Sequence, residues 1–161
     1  MLNTALQVLS KDGTIADNSY QVITEDGVLP QGDVVLSVEQ LDQLANVSGK
    51  KALFITVDAS PEVNQFPLDQ LDTIFIEFAG FNDGRGYSFA ALLRRQGYHG
   101  ELRAVGDIFK DVLNYLKRSG FDSFVIKEGK DIHEAAAGLN DFKHPYQAST
   151  AVAQAHYQTG A

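Results

Sequence analysis

The chain has no cysteine and no tryptophan, one methionine and four prolines among its 161 residues. Without thiols there can be no disulfide, thiol nucleophile or dithiol redox pair, and no cysteine-held iron–sulfur or zinc centre. Positive charge is scarce as well: 13 Lys and Arg face 21 Asp and Glu, a formal charge of −8. The long-range field of such a chain repels phosphate, which argues against general nucleic-acid binding and against adhesion to anionic membranes, though not against a local positive pocket. No apolar run approaches the roughly 20 residues of a membrane span. The opening MLNTALQVLSKDG has no basic stretch followed by a long apolar core, so it does not read as a signal peptide. A cytoplasmic protein is expected.

What is present fits one globular domain: 44% hydrophobic and 21% charged residues, enough for a proper core. Its texture changes along the chain. Residues 1–36 hold short β-like runs at 8–10, 20–24 and 34–36, separated by the turn signals Lys11-Asp12-Gly13, Glu25-Asp26-Gly27 and Pro30-Gln31-Gly32-Asp33. They predict short antiparallel strands or irregular chain packed on one edge of the main body. Residues 37–142 form a βα core. Ser37 and Gln40 make a capping box for a helix carrying Val38, Leu41, Leu44 and Ala45. Strands are expected near positions 53, 74, 102 and 123, with helices following most of them, and Asp107 is placed to cap the helix after the third. Residues 143–161 read as a tail. Repeated βα units mean an α/β fold with a parallel sheet. Both an open sheet and a half-barrel-like arrangement fit. A closed (β/α)₈ barrel needs roughly 250 residues, so closure would take two chains, and the open sheet is favoured.

The organising stretch is 72–107, which reads as strand, glycine-rich loop, helix, turn and strand. Asn82-Asp83-Gly84-Arg85-Gly86 cannot continue the strand at 74–78, and the following helix ends in Arg94 and Arg95 before Gly97. Unpaired amides at such a helix start suit an anion, and a guanidinium grips carboxylate or phosphate in a fork. The candidate anion site is therefore Asp83, Gly84, Arg85, Gly86, Tyr87 and Ser88, joined by Arg103 and Asp107. The structural alternative has Asp83 capping the helix and Arg85 paired with Asp107 or Glu77. Arg103, a charge within a strand, either points inward to Glu101, Glu77 or Asp107 or lies on an exposed face. The loop is neither the dinucleotide fingerprint, since Phe89 stands where a third glycine is needed, nor a P-loop. No two of His99, His133, His144 and His156 have metal-pair spacing, and no metal site is expected.

The run Phe81-Asn82-Asp83-Gly84-Arg85-Gly86-Tyr87-Ser88, then Leu93-Arg94, Gly100-Glu101-Leu102-Arg103-Ala104-Val105-Gly106-Asp107 and Gly120-Phe121-Asp122, resembles a bacterial family catalogued as domain of unknown function 934. The leader Gly27-Val28-Leu29-Pro30 with Gly32-Asp33 is similar as well. Members of that family are described as oxidoreductases of sulfite reduction, from gene neighbourhood. The resemblance implies a place in sulfate assimilation and the haemoprotein subunit of sulfite reductase as a partner; it carries no catalytic residues and no named cofactor. Three readings stand at this point. One is an accessory protein of assimilatory sulfite reduction that binds a small anionic ligand. The second is an oxidoreductase or an isomerase or lyase acting on an anionic small molecule. The third is a structural homodimer.

Overall fold

The computed structural model of the protein describes residues 7–56, 58, 62 and 65–140. The expected tail, His144, His156 and most of the loop after position 56 lie outside them. Eight strands form one sheet: β1 (Gln7–Ser10), β2 (Ile15–Asp17), β3 (Gln21–Val22), β4 (Val34–Ser37), β5 (Lys51–Ile55), β6 (Thr73–Phe78), β7 (Glu101–Gly106) and β8 (Ser123–Phe124). Their order is β2-β1-β8-β7-β6-β5-β4-β3. From β3 to β8 the strands are parallel and sit in chain order, while β1 is antiparallel to both β8 and β2.

Chain order has a structural consequence. Successive parallel strands joined by right-handed crossovers place every connecting helix on the same face. The helices α1 (Arg85–Arg95) and α2 (Lys110–Arg118) therefore pack together on one side, and the mixed, largely parallel open sheet curls toward a half-barrel. A short α3 (Ile132–Ala137) follows β8 and packs on α2; its start is fixed by Asp131, whose carboxylate accepts the His133 and Glu134 amides.

Strand alternation sorts the core into two layers. Ile74, Ile76 and Phe78 of β6, with Leu102 and Ala104 of β7, face Ala90, Leu93, Leu113 and Leu116 of the helices. The opposite, concave face holds Val8, Tyr20, Val35, Ala52, Phe75, Val105 and Val125. All of these are buried, and so are the polar Thr73, Arg103 and Ser123 on the same face.

The N-terminal segment departs from the sequence reading. It does not lie on one edge: β1 and β2 form an antiparallel pair beside β8, whereas β3 and β4 are parallel strands at the far side of the sheet. The turn Lys11-Asp12-Gly13 makes a hairpin, with Gly13 at φ 92°, but the chain from β2 to β3 crosses the concave face through Tyr20 instead of folding back. The predicted helix after Ser37 is a 3-10 helix, Val38–Asn46. Val38, Leu41, Leu44 and Val47 fall at a strict spacing of three, which aligns one apolar stripe at three residues per turn. Gln40 Oε1 does accept the Ser37 amide, at 3.0 Å.

Candidate functional site

At the carboxyl ends of the parallel strands the β6–α1 loop carries most of the predicted residues. Asp83 Oδ1 accepts the Arg85 amide at 3.1 Å and Arg85 Nε at 3.0 Å, while Asp83 Oδ2 accepts Nη2 at 2.8 Å. Asp58 stands 3.6 Å from Nη1. Arg85 thus pairs with a carboxylate two residues away and not with Asp107 or Glu77. The Arg85 hydrogen bonds hold the Asp83 carboxyl below the usual range. The Ser88 hydroxyl donates to Gly84 O in its own helical turn.

The two glycines of the loop differ in role. Gly84 has open space where a side chain would stand and an ordinary helical φ of −76°. Gly86 is buried; a Cβ there would lie 2.5 Å from the Phe78 ring. It is the residue that lets the start of α1 settle on β6. Tyr87 packs its ring on Phe78 and on Tyr115, with centroids at 5.1 and 4.7 Å, and burial pushes its hydroxyl up to about 12.

Asp107 is not a helix cap, because α2 begins three residues later at Lys110. Gly106 turns the chain first, with φ 97° and no room for a side chain against Phe78 O. Asp107 Oδ2 then accepts the Phe81 amide at 3.0 Å, and Oδ1 accepts Lys127 Nζ at 2.7 Å. One carboxylate therefore braces three βα loops, and Lys127 holds it below its ordinary value. Phe81, 64% exposed, meets Phe109 edge-on above this brace.

Arg103 lies elsewhere. It is on the concave face near the amino end of β7, so the two predicted arginines do not converge. Its guanidinium sits 4.8 Å from the Phe75 ring and 5.4 Å from the Tyr20 ring. Nε donates to Glu101 Oε1 at 3.1 Å and to Ser123 Oγ at 3.0 Å, Nη2 to Glu101 Oε1 at 2.8 Å, and Nη1 to Asn18 Oδ1 at 2.9 Å. The Ser123 hydroxyl donates to the same Glu101 oxygen through a short hydrogen bond. Of the three partners the sequence offered, Glu101 is the one. Tyr20, its hydroxyl hydrogen-bonded to Thr73 Oγ1 at 2.9 Å, is pushed up to about 12 by burial. This cluster opens on a recess of about 440 Å³, lined also by Lys11, Lys50, Asp12, Asp17 and Asp122.

Sequence reasoning missed a third grouping, at the amino ends of β7 and β8. Arg94, in the last turn of α1, donates through Nη1 to Tyr98 O and Gly100 O, both at 2.8 Å, and through Nη2 to Gly120 O at 3.0 Å and Asp122 Oδ2 at 2.5 Å. Asp122 also accepts the Leu102 amide at 3.0 Å and Lys11 Nζ at 2.6 Å. Burial pushes the Asp122 carboxyl up, but Lys11, the Leu102 amide and Arg94 outweigh it, and the group stays below its ordinary value. The signal was available. Parallel βα units put all their helix C-termini at one end of the sheet, so the last-turn cations of α1 and α2 had to be neighbours. Among the described residues, no group of three or more His, Asp or Glu could hold a metal ion, and no helix is long and apolar enough to cross a membrane.

These features define a one-sided α/β protein whose open sheet curls toward a half-barrel, with polar recesses at the amino ends of its strands and a braced loop at their carboxyl ends. The family model for a bacterial protein of unknown function, DUF934, matches residues 52–157, and the chain belongs to that family. No curated protein and no solved structure matches it.

Proposed function

We propose that the protein is an accessory component of assimilatory sulfite reduction which binds a singly charged oxyanion at Arg103. The pathway follows from the resemblance of the block 81–122. The ligand follows from one observation: a guanidinium packed against an edge-on pair of aromatic rings at a recess, each of its terminal nitrogens having one hydrogen-bond partner among the described residues and two hydrogens to give. Glu101 and Ser123 fix the plane of the fork, so an incoming oxyanion meets donors already oriented. The carboxylates Asp12, Asp17 and Glu101 around the same recess favour an anion of single charge over a dianion. In this reading Asp83, Gly84, Arg85, Gly86, Tyr87, Ser88 and Asp107 hold the carboxyl-end loops in place, and Arg103 alone of the predicted set faces the ligand.

The test is calorimetric titration of the purified protein with sulfite and sulfate at near-neutral pH, beside Arg103→Lys and Arg103→Gln. Saturable sulfite binding, weakened in Arg103→Lys and lost in Arg103→Gln with folding intact by circular dichroism, is the expected result. Unchanged binding in both variants removes the site. A deletion strain that grows normally on sulfate as its sulfur source removes the pathway. Copurification with the haemoprotein subunit of sulfite reductase tests the partner.

Glu101 also supports a second reading. A carboxylate beside a substrate-holding arginine is the pair an isomerase or lyase needs to move a proton on an anionic small molecule. Solvent deuterium incorporation into such a substrate, lost in Glu101→Gln, distinguishes the two.

A further inference from the structure

The recess at Arg103 is larger and more mixed in charge than a bare oxyanion needs. Its volume of about 440 Å³ is that of a small-molecule site rather than of a single ion. Three cations, Lys11, Lys50 and Arg103, stand against four carboxylates around it. Two of the four are taken, Asp122 by Lys11 at 2.6 Å and Glu101 by Arg103 at 2.8 Å. The other two, Asp12 and Asp17, form no ion pair among the described residues. Asp12 has a structural task as well, its Oδ1 accepting the Thr14 amide at 2.9 Å, but that bond leaves its charge uncompensated. The charges are also graded across the recess. Asp12 lies in the turn between β1 and β2 and Asp17 ends β2, both beyond β8 as seen from Arg103. Lys50 leads into β5 on the other side of β7, where its ammonium helps to hold the Asp33 carboxyl below the usual range.

We infer that the ligand held at Arg103 is a small zwitterion, an amine joined by a short chain to a carboxylate or a sulfonate. This rests on the oxyanion reading of Arg103 and extends it. The anionic end takes the guanidinium fork, and the ammonium end turns toward the β1–β2 hairpin, where Asp12 and Asp17 accept its hydrogens. A bare anion enters a recess with one carboxylate more than it has cations and is opposed; a ligand that brings its own cation is not. The reverse seating sets the ammonium beside Lys50 and is disfavoured by like charge. β7 and β1 are two strand spacings apart, roughly 10 Å, and side chains reach in from both, so a short chain between the two ends suffices.

The experiment is calorimetric titration of the full-length protein at near-neutral pH with two matched pairs, ethanesulfonate beside 2-aminoethanesulfonate and propionate beside 3-aminopropionate. The amine-bearing member of at least one pair is expected to bind about tenfold tighter or more. That advantage should vanish in the double variant Asp12→Asn with Asp17→Asn, while the affinity of the amine-free member does not fall. Asparagine at position 12 can still accept the Thr14 amide, so the hairpin turn is kept. The pair that shows the advantage identifies the anionic end as sulfonate or carboxylate. Equal binding within both pairs overturns the zwitterion and leaves the oxyanion reading standing, as does binding of sulfite with none of the four probes. An advantage that persists in the double variant overturns the hairpin as the seat of the amine. Loss of sulfite binding together with all four probes, or binding of all of them unchanged in Arg103→Gln, removes both readings. The comparison within each pair needs no variant, so it decides even where the double variant misfolds.

Discussion

Arg85 and Arg94 belong to the same helix, at its first and last turns, and differ in almost every physical respect. Arg85 is 54% exposed and grips Asp83, two residues away. Arg94 is 17% exposed and reaches Tyr98, Gly100, Gly120 and Asp122, so that one side chain joins α1 to the turns before β7 and β8. An exposed pair formed between near neighbours in the chain survives partly in the unfolded state and adds little. A fork that satisfies backbone carbonyls across separate elements is lost entirely on unfolding. The first turn of α1 is therefore locally braced by Arg85, and its last turn is where Arg94 ties the helix to separate elements.

The sharpest break of that contrast is to remove each arginine in turn. Arg94→Ala removes the side-chain donor of Tyr98 O, Gly100 O and Gly120 O and one of the three donors to Asp122, and is expected to cost about 2–4 kcal/mol, read as a fall of roughly 5–10 °C in Tm. Arg85→Ala is expected to leave Tm unchanged; an equal fall for both would end the distinction. The glycines of the loop sharpen it next. Gly86→Ala forces a methyl against the Phe78 ring and should lower stability by about 1–3 kcal/mol in urea titrations. Gly84→Ala, in open space at a helical φ, should be neutral or stabilising by a few tenths, about 0.4 kcal/mol or more.

The smallest effect is in pH. Asp122 has its folded pKa held below the ordinary value of 3.8, so its contribution is complete above that pH and is lost as pH falls through the lower folded value. Asp122→Asn should therefore flatten the acid limb of a stability–pH curve measured below about pH 4. A limb as steep as in the wild type would show that other carboxylates carry it.

Much of the fold was legible because it repeats. Apolar strands followed by helices ending in cations and glycine gave β5 to β8, α1 and α2 nearly in place, and the repetition itself implied a parallel sheet. The parts that were missed depend on partners far apart in the chain. Nothing in the run 1–36 distinguishes β1, which pairs with β8, from β4, which pairs with β5. Arg103 finds Asn18 across 85 residues, and Asp107 meets Phe81 and Lys127 instead of the helix it precedes. A short acid after a turn glycine looks like a cap in any sequence. Whether it becomes one depends on where the next loop runs.

The antiparallel β1 has a bearing on how such a chain can grow. Strands added one after another in sequence order form a pattern that invites extension by a further βα module, or by the corresponding strand of a second copy. Here the outer side of β8 is already taken by β1 at Leu9 and Ser10, and the opposite border is β3, two residues long. The β1–β2 hairpin acts as a stopper on the end of the parallel series. Seating another parallel strand beside β8, from this chain or a second copy, would first require β1 to be evicted.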